Sequence, residues 1–126
     1  MILRSQFKAQ FEVDDRRTLL DMEIQLDKAL RAIEVLKSIN HFFDRNPDVK
    51  QTEHDKATRH GRVVQEAAEA IQECIYLAEG LHSARNVPLK AWLKENLTLD
   101  RVWMTPAWQD LPKVIVPIRD KVRGAR

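Results

Sequence analysis

Glycine occurs three times in this 126-residue chain and cysteine once, as Cys74. So few glycines exclude collagen-like, glycine-rich and most dinucleotide-loop readings. A single cysteine excludes a disulfide framework and any multi-cysteine metal site. No apolar run approaches the ~20 residues of a membrane span, and Met1-Ile2-Leu3-Arg4 has no apolar core of signal-peptide length. There is no Gly-x-Ser-x-Gly elbow, no phosphate-binding glycine loop and no Arg-x(4–6)-His pattern of HEPN-type ribonucleases. What the chain does have is 44% hydrophobic and 32% charged residues, enough apolar material for a core. The expectation is one soluble, cytoplasmic domain spanning 1–126, with no membrane partner and no cofactor.

The formal net charge of +2 hides a blocky distribution. Residues 12–55 hold 11 acids against 7 bases, and residues 63–84 hold only Glu66, Glu69, Glu73 and Glu79. Between these acidic blocks lies a compact basic cluster, Lys56, Arg59 and Arg62, with His60 alongside and Lys50 just upstream. A second basic cluster closes the chain as Arg119, Lys121, Arg123 and Arg126. Clusters of this kind meet phosphate backbones or acidic protein faces.

Along the chain, odd positions from Leu3 to Val13 are apolar or small and even ones are polar, the pattern of a half-buried strand. Leu3, Phe7 and Phe11 also recur every four residues, so a helix competes with that reading. Asp14 or Asp15 then offers an N-cap for the next segment. Leu19, Met22, Leu26, Ala29, Ile33 and Leu36 follow at alternating spacings of three and four, which predicts a long helix ending near Asp44, ahead of Asn46-Pro47-Asp48. Leu20, Ile24, Leu30, Val35, Ile39 and Phe42 widen its apolar stripe until it needs at least two neighbours. Thr52 and Asp55 form a capping-box-like start for a second helix over 53–82, its first two turns projecting beyond the core.

Pro88 fits the first turn of a third helix with Leu89, Trp92, Leu93 and Leu97. Thr98 and Thr105-Pro106 read as starts of short helical turns. With Pro88, Pro106, Pro112 and Pro117 in the last third, no long helix is expected there. Val114-Ile115-Val116 is β-branched, and 114–118 is the natural partner for an N-terminal strand. The fold class expected is therefore mainly α: a bundle on two long antiparallel amphipathic helices, short C-terminal helices, minor β pairing of 1–13 with 114–118, and a mobile basic tail at 119–126.

Catalytic templates fit poorly. Glu79-Gly-Leu-His82 has the Glu-x-x-His spacing of ferritin-like di-metal proteins, but the second pair is missing. Glu66-Ala-Ala-Glu69 followed by Glu73 resembles the first half of the helical motif of MazG-like nucleotide pyrophosphohydrolases. That resemblance implies a magnesium-dependent nucleotide hydrolase in which these glutamates hold the metal. The second half, Glu-x-x-Asp, is absent, because Leu97, Ala107 and Pro117 stand three residues before Asp100, Asp110 and Asp120. Cys74 sits on the apolar row of the second helix as a small hydrophobe. Trp92, Trp103 and Trp108 read as buried anchors or interface residues before they read as base-stacking platforms.

The sequence thus favours a non-catalytic helical binding subunit or adaptor that contacts a nucleic-acid backbone. The residues assigned are Lys50, Lys56, Arg59, His60, Arg62, Arg119, Lys121 and Arg123, binding RNA or single-stranded DNA without reading sequence. An acidic protein surface is the alternative ligand. The alternative function is a protein-interaction module of chaperone, immunity or inhibitor type. A homo-oligomer is expected, since the third helix is too short to cover the first.

Overall fold

Two features of the first helix, its length and its broad apolar stripe, organise the chain. In the computed structural model, which describes residues 4–126 and side chains from residue 9 onward, α1 runs unbroken from Arg4 to Arg45. After a loop carrying Pro47, α2 (Glu53–Glu79) returns antiparallel along it. Thr52 caps α2 by accepting a hydrogen bond from the Asp55 amide at 3.0 Å. A 3-10 turn (Ala84–Asn86) leads into α3 (Val87–Asn96), with Pro88 in its first turn. Then come α4 (Leu99–Trp103), a second 3-10 turn (Trp108–Asp110) and α5 (Leu111–Ala125). The architecture is an all-α helical bundle, with no strand among the described residues.

The expected strand over 2–13 is corrected to helix from Arg4 onward, while positions 2 and 3 lie outside the described residues. Extending an established helix costs little per residue, whereas a strand needs a partner. None is available, because 114–118 belongs to α5. Asp14 and Asp15 are accordingly mid-helix and not caps.

The last third holds only shorter helices, as its prolines predict, but the expected strand at 114–118 is corrected, since it lies inside α5. The 15 residues of α5 contain Pro117 in the interior. Proline there removes one helical hydrogen bond, at a cost of about 3 kcal/mol. Leu111, Ile115, Ile118 and Val122, spaced four, three and four apart, are all buried on the opposite face and offset it. The β-branched run reads as helix because tertiary packing overrides a weak local preference.

The core joins Leu19, Met22, Leu26, Ile33 and Leu36 of α1 to Ala67, Ile71 and Cys74 of α2, and to Ile115 and Val122 of α5. The second neighbour that α1 requires is therefore α5 and not α3. The alanines of α2 let the two long helices approach closely. Cys74 is fully buried, donates weakly to the Met22 carbonyl at 3.6 Å, and has its thiol pushed up to about 12 by burial and by Glu73. No helix among the described residues is long and apolar enough to cross a membrane.

Candidate functional site

The two basic clusters meet opposite fates. Arg119, Arg123 and Arg126 occupy the last turns of α5 and the chain end, against the acidic part of α1. Arg123 Nε donates to Glu23 at 2.6 Å, Arg126 donates to the other oxygen of Glu23, and Arg119 and Arg123 each reach Asp27 at 3.4 Å. Arg119 also pairs with Asp120 at 3.2 Å. These arginines hold the Glu23 carboxyl below its usual range, Arg126 most strongly and then Arg123, against burial that pushes it up. Lys121 stands over the Trp92 ring, 5.3 Å from its centre. The expected mobile arm at 119–126 is thus corrected: its first seven residues are helical, and its four cations are engaged by the chain's own side chains.

The cluster at 50–62 differs. Among the described residues, no carboxylate lies within ion-pairing distance of Lys50, Lys56, Arg59 or Arg62. Arg59 donates to the Gln51 side chain and lies over the Phe43 ring at 5.2 Å, so the projecting segment is packed at Arg59 and His60 while 53–58 is exposed. Its Nε is buried without a hydrogen-bond partner among the described residues.

A spacing of three along α2 carries these residues around its surface, and the structure splits them. Arg59 and Arg62 border an open groove of ≈ 390 Å³ between α1 and α2. Lys28 and Arg31 of α1 line it too, Ala32, Val35 and Ile39 form its apolar side, and Glu66 is its one acid. Lys28 and Arg31 were missed in the sequence because Asp27 and Glu34 flank them. Their three-residue spacing on the outer face of α1 was the available signal.

Lys56 and His60 turn to the other side, beside Lys37, His41, Asp44 and Trp108. The His60 ring packs on Trp108 with 5.6 Å between centres. Burial, then Lys56 and Arg59, lower its pKa, so at neutral pH it is an uncharged ring and adds no cation to the cluster.

The other candidates are also placed. Glu66, Glu69 and Glu73 share a shallow depression with Lys28, and among the described residues no group of three His, Cys, Asp or Glu side chains is arranged to hold a metal ion. The His82 amide donates to Asp15 and its ring lies 5.9 Å from that of Phe11, away from any second Glu-x-x-His pair. Trp108 is a buried anchor and Trp92 is half-buried against the core, but Trp103 is 60% exposed. No protein-family model, curated protein or solved structure matches this chain.

Proposed function

We propose that this protein is a non-catalytic helical binding subunit that grips a nucleic-acid backbone along the groove between α1 and α2. One observation carries the reading: Lys28, Arg31, Arg59 and Arg62 converge on that groove with a single carboxylate among them. Elsewhere the fold pairs its clustered arginines. A charge left unpaired against a half-apolar surface favours an anionic ligand, and a row of cations on parallel rods suits successive phosphates. The apolar side of the groove takes sugar or base surface without reading sequence. Lys50 and Lys56 are not among the residues that line the groove.

The test is fluorescence anisotropy of a labelled single-stranded oligonucleotide across a salt series. Four phosphate contacts predict a log–log salt slope of roughly −3, from about 0.7 per contact. Arg59→Glu with Arg62→Glu is expected to weaken binding at least ~100-fold at low salt, with unchanged helical circular dichroism. Binding that ignores both salt and this charge reversal overturns the proposal. A second reading, a module that binds protein alone, draws on exposed Trp103 and Met104 at the end of α4. It predicts no oligonucleotide shift at any salt.

A further inference from the structure

The core accounts for only one side of α1. Leu19, Met22, Leu26, Ala29, Ile33 and Leu36 are buried. Val13, Leu20, Ile24, Val35 and Phe42 are 42–54% exposed. At about 100° per residue these five fall within about 60° of one another, on the face opposite the core. α1 therefore carries two apolar stripes, and the described residues cover one.

We propose that a second copy of this chain covers the outer stripe, through antiparallel pairing of α1 with α1. The spacing carries the choice of occupant. Read from either end, the outer row 13-20-24-31-35-42 has the same steps of seven, four, seven, four and seven. Antiparallel pairing about its midpoint sets Val13 against Phe42 and Leu20 against Val35, twice each by symmetry. Arg31, the one cation in the row, falls against Ile24, where its aliphatic stem packs. Its head comes within three residues of register of Asp21 on the other copy. Neither Asp21 nor Arg31 has an ion-pair partner among the described residues of its own chain. Parallel pairing would instead stack Arg17 on Arg17 and Arg31 on Arg31. Arg31 and Val35 also line the α1–α2 groove, so this pairing and a nucleic acid compete for that edge of α1, and the interface is tested with nucleic acid absent.

Sedimentation equilibrium of the full chain at micromolar concentrations tests this, and it is indifferent to nucleic acid. The expected mass is twice 14.7 kDa. Leu20→Glu with Val35→Glu, both on the outer face, is expected to give the single-chain mass with the helical circular dichroism retained. Asp21→Arg alone is expected to weaken the dimer about tenfold, and Asp21→Arg with Arg31→Asp to restore it. A monomeric wild-type chain overturns the proposal, as does a dimer that survives Leu20→Glu/Val35→Glu. So does a double charge swap no tighter than the single one, which also decides the matter should the glutamate variant fail to fold.

Discussion

The two halves of α1 do opposite work. Residues 12–27 carry six acids and two bases, and residues 28–45 carry four bases and two acids. In the first half, carboxylates turn inward and fasten later parts of the chain. Asp15 is 1% exposed and accepts from the His82 amide, the Ser83 amide and the Asn86 side chain, at 2.8–2.9 Å. It thereby ties the α2–α3 connection to α1, while Glu23 and Asp27 tie down the end of α5. In the second half, Lys28 and Arg31 face a groove, and among the described residues no carboxylate lies at pairing distance from either. One helix thus serves as a clamp over one length and, in the function proposed above, as a binding surface over the other. Charge sign along it separates the two stretches, because a carboxylate accepts from several donors at once, as Asp15 does from two amides and Asn86 and Glu23 does from two arginines.

The sharpest test sets one substitution in each half against the other. Asp15→Asn swaps one acceptor oxygen for a donor facing three donors, and is expected to cost about 2–3 kcal/mol in urea unfolding. Lys28→Gln, in the exposed half, is expected to stay within ~0.5 kcal/mol. Equal costs would break the contrast. Glu23→Gln should cost less than Asp15→Asn, about 1–2 kcal/mol, because its arginine partners are half in water. Its distinctive readout is faster amide exchange in the last turns of α5, with the groove untouched.

The smallest effect is read in pH. Burial pushes the Asp15 carboxyl up, but the bonds from Asn86, His82 and Ser83 together outweigh it and leave its pKa lowered, as the arginines leave that of Glu23. A carboxyl titrating lower in the folded chain stabilises above its ordinary range and loses that contribution as pH falls through the lowered value. Melting temperature is therefore expected to be flat above about pH 5 and to drop below about pH 4. Asp15→Asn should show a shallower drop. An unchanged acid limb in that variant would show that Asp15 does not fasten the connection.

How far the sequence exposed this arrangement depends on the range of the interaction concerned. The α2 cap, the turn at Pro47 and the start of α3 at Pro88 are local, and each was legible from neighbouring residues. The basic cluster at 50–62 was legible as well, because three cations share a short exposed stretch. The partners of the C-terminal arginines were not, since Glu23 and Arg123 are 100 residues apart in the chain. Nor was the role of Asp15, which lies 67 to 71 residues from the groups it holds.

By itself, then, the sequence determined that the chain folds into amphipathic helices, because a period of three and four in side-chain polarity is enough to choose a helix and its buried face. Tertiary structure decided which elements flank α1, that the proline-bearing last segment is helical, and which of two similar basic clusters is consumed by its own fold. Helix periodicity is written within a few residues, whereas an ion pair or a packed face exists only once distant segments have been brought together.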